Sequence, residues 1–447
     1  MRLHPIAIII GAAFGVLVTL QRVADNDLFW HVETGRRTLE LALPRIDTFS
    51  WTIAGAPVLT DQWLGDALFA AARALDDWRG VLALRVLAVT ALVAIVVDTA
   101  LAARPRAPLV AGVAALPAIA LTRFAWTDRP ELLGLVCFAI LVRLLRDGDR
   151  GLLLSIPLLF VWAQLHGSYA LGLGLVLAAC GAGALEERRE RWRFAPIAAA
   201  AIVATLITPA GLATWSSSGG HFLAPPRYIQ EEGVPDPRSF DGLLFFGVLA
   251  LVIATAFTRE RITLREAAVL VPVAFVSLTA ARHTPLLAIA AAPYFASRWP
   301  DPLAGRRTTA PPARWPTPAI VAACAVTLVA AVALANATID ETGYPRAALA
   351  AVPAGPGVLN EYEWGGYLIE FAPRTPVFID GRLFPYVPAV LADYRAIVAA
   401  HPGWEDVAAR RGVTAMLVRP SDAIAVRAPE RGWRVVFADA TAVVLVK

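Results

Sequence analysis

Cysteine is scarce in this chain. Three occur among 447 residues, Cys137, Cys180 and Cys324, each inside an apolar run and none in CxxC spacing. That excludes a disulfide framework and a zinc site of the usual spacing. Charge is scarce too: 17% of residues are Asp, Glu, Lys or Arg, against roughly 25% in soluble domains. The formal charge of +4 is almost all arginine in short loops, so no nucleic-acid partner is expected. No small-x-small cleavage site stands before Asp25. The N-terminal apolar segment therefore reads as a retained helix, not a removed signal peptide. No internal repeat is evident.

What fills the chain is apolar: 57% of it is hydrophobic, with a mean hydropathy of +0.60. Runs long enough to approach the roughly 20 residues a bilayer needs begin with residues 5–22. They continue near 80–102, 107–122, 131–146, 151–166, 168–185, 194–212, 241–257, 264–281, 284–297 and 317–336. The sequence thus predicts a polytopic α-helical membrane protein of about eleven transmembrane helices over residues 1–337, followed by a small α/β domain over 338–447. Alternate loops carry the arginines: Arg104 and Arg106; Arg143, Arg146 and Arg150; Arg188 to Arg193; Arg259, Arg261 and Arg265; Arg298 to Arg314. Positive loops face the cytoplasm. This predicts a cytoplasmic N-terminus, an outer loop over 23–79 and an extracytoplasmic tail.

The outer loop has its own pattern. Residues 27–41 place Leu28, Val32 and Leu39 at helical spacing and end at Pro44. Thr48–Thr52 alternates like a strand. Thr60 and Asp61 precede a second amphipathic helix carrying Trp63, Leu64, Leu68 and Phe69. The loop opens on Asp25-Asn26-Asp27-Leu28-Phe29-Trp30-His31-Val32-Glu33. Carboxylates and an imidazole at a membrane boundary need water, a partner, a metal or a substrate. With Asp27 as a helix cap, His31 falls one turn along and shares its site. An ordinary cap on a wet helix face has the same residues.

Other unusual groups are expected on the same outer side. They are Arg129 with Glu131, His166 at the end of Trp162-Ala163-Gln164-Leu165-His166-Gly167, Glu231 beside Glu232, and Arg282 with His283. Each alone is an ordinary helix-end charge; together they describe one polar pocket. In the tail, 357–360, 376–380, 414–418, 433–437 and 441–446 read as strands and 388–400 and 404–411 as helices. Two polar clusters stand out there, Glu361-Tyr362-Glu363-Trp364-Gly365-Gly366-Tyr367 and Asp380-Gly381-Arg382.

One span, an outer loop opening with paired acids and an amphipathic loop helix resemble the start of the GT-C membrane glycosyltransferases. The motifs around Asp25–His31, Arg129–Glu131, Trp162–Gly167 and Glu363–Tyr367 are similar to a group of bacterial GT-C-like membrane proteins with no assigned activity, through nearly the whole chain. Tyr362–Tyr367 is distantly similar to the WWDYG motif of oligosaccharyltransferases, with one Trp and Glu in place of Asp.

The resemblance implies hexosyl or pentosyl transfer at the extracytoplasmic face of a bacterial plasma membrane. The donor is a polyprenyl-phosphate sugar and the acceptor a glycan, lipid or protein. Asp25 or Asp27 takes the acceptor proton. His31, Arg129, His166, Glu231, Arg282, His283, Glu363, Trp364, Asp380 and Arg382 are the candidates for holding substrate and phosphate. Asp25 and Asp27 are candidate ligands for Mg²⁺ or Mn²⁺. A lipid-linked glycan transporter, which needs charges near the bilayer midplane, with Asp98 the main candidate, and a non-catalytic assembly scaffold are the other readings.

Overall fold

The computed structural model describes residues 3–216, 233–257, 262–302, 304 and 316–447. The chain divides into two compact units, one of residues 1–22 and 79–337 and one of residues 23–78 and 338–447. The segment 23–78, which the sequence reading attached to the membrane domain, therefore forms one unit with the tail.

In the first unit, every predicted apolar run is helical. The helices are α1 (Pro5–Val18), the apolar part of α3 (Trp63–Ala103), α4 (Pro108–Thr122), α5 (Pro130–Leu145), α6 (Gly148–Leu165) and α7 (Tyr169–Glu186). They continue with α8 (Phe194–Leu206), α9 (Phe240–Ala256), α10 (Leu264–Thr279), α11 (Thr284–Arg298) and α12 (Thr317–Leu334). Among the described residues, four helices are long and apolar enough to cross a membrane: those containing Trp63–Ala103, Pro108–Ala125, Tyr169–Glu186 and Thr317–Leu334. Pro5–Val18 and Phe240–Ala256 are apolar but shorter. α10 stops two residues short of its predicted span and the 3₁₀ turn Ala281–His283 follows, while α4 reaches its predicted end at Thr122 with a 3₁₀ turn, Arg123–Ala125, beyond it.

The packing explains which helix lies where. α11 is apolar and Ala-rich on all sides and is buried almost throughout, as a central helix should be. α12 buries only Leu328, leaving Val321, Val326, Val329 and Leu334 exposed. A patch of that kind in water drives aggregation; against lipid tails it is neutral. Gly11 and Gly15 of α1 let that helix approach α3 closely. A Cβ at Gly11 would lie 2.6 Å from the Thr90 carbonyl oxygen, and one at Gly15 2.2 Å from Thr90 Oγ1. Small residues are the usual means of close packing in membranes.

The charges sort to two ends of this unit. At one end, the His4 N–H donates to Asp98 Oδ1 at 2.8 Å and Arg143 Nε to Asp98 Oδ2 at 3.3 Å. Arg104 donates to the Ala296 and Ser297 carbonyls at 3.3 and 3.2 Å. Arg298 pairs with Glu266 at 2.8 Å, Arg265 with Glu187 at 2.6 Å and Arg193 with Asp149 at 2.9 Å. These contacts join the start of α1 to the ends of α3 and α5, and the end of α11 to the start of α10. Helices joined start to end, α1 with α3 and α10 with α11, run antiparallel. At the opposite end, Arg123 pairs with Asp241 at 2.8 Å. The buried Arg85–Asp128 pair there is also at 2.8 Å, with Arg85 donating to the Gln21 and Arg22 carbonyls.

The second unit is built on a four-stranded sheet of order β1-β2-β4-β3, with β1 (Val358–Asn360), β2 (Ala415–Val418), β3 (Arg434–Ala438) and β4 (Val443–Val446). β1 and β2 are parallel; β4 is antiparallel to β2 and β3. The helices are α2 (Leu28–Leu39), the start of α3, α13 (Gly365–Phe371), α14 (Ala389–Val398), α15 (Trp404–Arg411) and α16 (Ala423–Arg427).

Two predicted strands are absent. Residues 48–52 and 376–380 meet only at the bridge Ser50–Val377. Trp51 Nε1 donates to the Val358 carbonyl and Thr52 Oγ1 to that of Phe378, at 3.1 and 2.6 Å. Side chains thus take carbonyls that a longer ladder would use. Val23 pairs with Ile339 in parallel.

The contact between α2 and the start of α3 depends on Gly35. A Cβ there would lie 2.0 Å from the Asp66 carbonyl oxygen and 2.8 Å from the Ala70 Cβ. The obstacle is backbone, which cannot rotate aside. Gly35→Ala should cost about 1–3 kcal/mol, the range for overpacking, read as a lower thermal midpoint of the purified protein in detergent. A wild-type midpoint would mean the two helices separate without cost.

Candidate functional site

The predicted site residues fall into two groups, one in each unit. In the second unit, the three motifs singled out from sequence come together. Asp25 and Asp27 are half-buried. Asp25 Oδ1 accepts the Asp27 N–H at 3.0 Å, which turns the chain into α2. Asp27 occupies the cap position of α2, but its side chain does not cap. Its Oδ1 instead accepts the Trp30 indole N–H at 3.1 Å. Gly366 packs on the loop: a Cβ there would lie 2.4 Å from the Asn26 carbonyl oxygen. Gly365 packs on the third motif, 2.4 Å by the same measure from the Ile379 carbonyl oxygen, and Gly381 faces Asp27 Oδ1.

Beneath this loop lies an aromatic cluster. Phe29 meets Trp78, Tyr344, Tyr367 and Phe371 edge-on, with ring centroids 5.6–5.9 Å apart. Tyr344 stacks on Tyr367 at 4.6 Å and donates to Asn26 Oδ1. Burial, then the charges of Asp25, Asp27 and Glu363, push the Tyr344 phenol above its ordinary value. Tyr344 therefore stays a neutral donor to the acidic loop.

His31 does not share the Asp27 site. Its Nδ1 lies 2.6 Å from Asp66 Oδ1, and both side chains are buried. The reason is the face of α2 that is covered: Phe29, Trp30, His31, Val32 and Gly35 are all buried. Burial holds the Asp66 carboxyl well above the usual carboxylate range. Sequence reasoning missed Asp66, although it stands three residues before Phe69, on the buried face of the second amphipathic helix.

Asp380 and Arg382 bind each other. Arg382 Nε donates to Asp380 Oδ1 at 2.7 Å and Nη2 to Oδ2 at 2.5 Å. Arg382 Nη1 pairs with Asp47 Oδ2 at 2.6 Å. Tyr386 donates to Asp380 Oδ2 at 2.5 Å. Asp47 and Asp380 have no exposed side-chain surface, so this is an internal brace behind the motif. Trp364 is buried and donates to the Gly343 carbonyl at 2.8 Å. Glu363 pairs with Arg419, while Glu361 accepts from Tyr394 at 2.7 Å. Burial pushes the Glu361 carboxyl up, against the Tyr394 hydrogen bond and the Arg419 charge.

In the first unit, Arg129, His166, Arg282 and His283 gather around Glu131. Glu131 lies in the first turn of α5, with Arg129 Nε 3.7 Å from its carboxylate. Arg129 and Arg282 bring positive charge to that carboxylate, and His166 and His283 lie near enough to act on it when protonated. The starts of α5, α7 and α11 supply these positions together with the ends of α6 and α10. His166 Nδ1 accepts the Ser168 N–H at 3.2 Å. That puts the proton of a neutral ring on Nε2. Burial, then the neighbouring Arg282, lower His283 to about 4. The turn Ala281–His283 lies outside the helices it joins, and its Ser277 hydroxyl bond to the His283 carbonyl, at 2.9 Å, fixes its shape. Glu131 was not among the residues assigned a role from sequence. Glu231 lies outside the described residues.

Among the described residues, no three His, Cys, Asp or Glu side chains are grouped to hold a metal ion. No protein-family model and no curated protein matches the chain.

Proposed function

We propose that the chain is a GT-C-type membrane glycosyltransferase of a bacterial plasma membrane. It moves a hexosyl or pentosyl group from a polyprenyl-phosphate donor to a glycan, lipid or protein acceptor at the extracytoplasmic face. The observation that carries this reading is the gathering of Arg129, His166, Arg282 and His283 about one carboxylate at the ends of five helices. Two guanidiniums and two imidazoles suit a phosphate ester in an apolar setting. Guanidiniums held in place before the reaction stabilise charge on a departing phosphate without reorganising.

The chemistry then divides by residue. The acceptor hydroxyl attacks the anomeric carbon, its proton passes to the carboxylate of Asp25 or Asp27, the bond from that carbon to the phosphate oxygen breaks, and the lipid phosphate leaves. The half-buried pair on a braced loop suits a base better than a cap, because neither side chain caps α2. Orientation follows from the arginines: the end of the first unit holding Arg104, Arg143, Arg193, Arg265 and Arg298 is assigned to the cytoplasm. Asp98, the main candidate of the transporter reading, accepts the His4 N–H and pairs with Arg143.

The experiment is the double change Asp25→Asn with Asp27→Asn, expressed at wild-type level in deletion cells. Surface polysaccharide and glycolipids should fall to the deletion pattern, as loss of a general base costs roughly 10²–10⁴-fold. Unchanged glycans at equal protein level would remove the transferase assignment.

A further inference from the structure

The two aspartates of the acidic loop are not equivalent, and the difference lies in what surrounds each. Asp25 Oδ1 is spent on the backbone, accepting the Asp27 N–H at 3.0 Å. Asp27 Oδ1 is held by a side chain, the Trp30 indole, at 3.1 Å. The indole is itself immobilised: Trp30 is 9% exposed, and its ring lies on the His31 ring with centroids 3.5 Å apart. His31 is in turn fixed by Asp66 at 2.6 Å. A buried hydrogen-bonded pair thus stands behind the aromatic donor that grips Asp27.

Gly381 packs on the same carboxylate oxygen, beside the indole. A Cβ at this position would sit 1.8 Å from Asp27 Oδ1, 3.0 Å from its Cγ and 3.3 Å from Trp30 Nε1. Gly381 is not among the glycines with a left-handed backbone. Conformation therefore does not require glycine there; the carboxylate does. Gly365 and Gly366 differ, because what an added Cβ would meet there is backbone.

Resting on the transferase reading, we infer that Trp30 and Gly381 are positioning residues for Asp27, setting the direction its carboxylate faces during transfer, while Asp25 shapes the turn. A displacement of about 1 Å in a reacting group can cost roughly a hundredfold, so the two positions carry a large effect without touching substrate.

Gly381→Ala is the informative variant. The obstacle is the far end of a side chain that can rotate, so the full-length protein should fold and accumulate normally while the carboxylate swings off the indole. Trp30→Phe removes the N–H and keeps a ring against His31. In deletion cells, both should lower the glycan product by about tenfold or more at wild-type protein level.

A second readout needs no substrate. Purified protein is labelled with carbodiimide and glycine ethyl ester, and the peptide carrying both aspartates is read by fragment mass. Labelling of Asp27 should change several-fold in each variant and that of Asp25 should not. The inference is overturned by unchanged Asp27 labelling, by wild-type product from Gly381→Ala, or by Asp25→Asn abolishing product while Asp27→Asn retains it. Wild-type glycans from the double Asn variant overturn the transferase reading itself, whatever the labelling gives.

Discussion

Replacing Arg382 with Ala should lower the stability of the second unit by about 3–5 kcal/mol, the cost of breaking a buried ion pair from one side. The guanidinium is the counter-charge of both Asp47 and Asp380, at 2.6 and 2.5 Å, and neither acid has exposed side-chain surface. Most of the loss comes from the two stranded carboxylates, since a buried charge without a partner keeps its full desolvation penalty. Neutralising them should therefore recover stability: Arg382→Leu with Asp47→Asn and Asp380→Asn should unfold closer to wild type than Arg382→Ala alone. Thermal unfolding in detergent checks this, with a fall of roughly 10 °C for the single change. A single change as stable as wild type would mean the carboxyls reach water or take up protons at no cost. Arg382→Lys should recover only part, because a single ammonium cannot bridge two carboxylates as a planar fork does.

This brace also shows how far the sequence was legible. Asp380-Gly381-Arg382 stands out as a polar cluster and was assigned to substrate. Its partners, Asp47 and Tyr386, carry no local signal, because they become neighbours only when Phe49 and Trp51 pair with Val377. Apolar length alone sufficed to place the helices of the first unit. Helix faces were harder. On the second amphipathic helix, Leu68 is exposed while Asp66 is buried, the reverse of what hydrophobicity suggests. Gly35 explains it, by bringing α2 against the backbone at Asp66 and leaving its carboxylate facing His31.

Caps were misread for a similar reason. Asp27 has the right residue type and position, yet its oxygen goes to Trp30, a choice that depends on where His31 is held. The grouping of Arg129, His166, Arg282 and His283 was legible as a list of odd residues at span ends. Glu131 stood in the same list, but its place at their centre was not legible, because a carboxylate in a first helical turn is an ordinary companion of the macrodipole.

That carboxylate allows a prediction with two signs. Arg282→Ala, and separately Arg129→Ala, should weaken binding of a short polyprenyl monophosphate to the purified protein by roughly 10- to 100-fold, the worth of a charge-assisted hydrogen bond of about 1.5–3 kcal/mol. Glu131→Gln should tighten it. Glu131 already occupies the field of the same four groups, so a phosphate entering that field meets a like charge which the amide removes. The gain should shrink as salt is raised, because these groups lie at helix ends where screening reaches them. His283, lowered to about 4 by burial and Arg282, is uncharged at neutral pH in the free protein. The guanidiniums therefore supply charge that His283 does not replace. Weaker binding in Glu131→Gln would mean that the carboxylate's main part is to hold the guanidiniums in place. Equal binding by all three variants and wild type would place the lipid phosphate elsewhere and leave the cluster as a structural tie between helix ends.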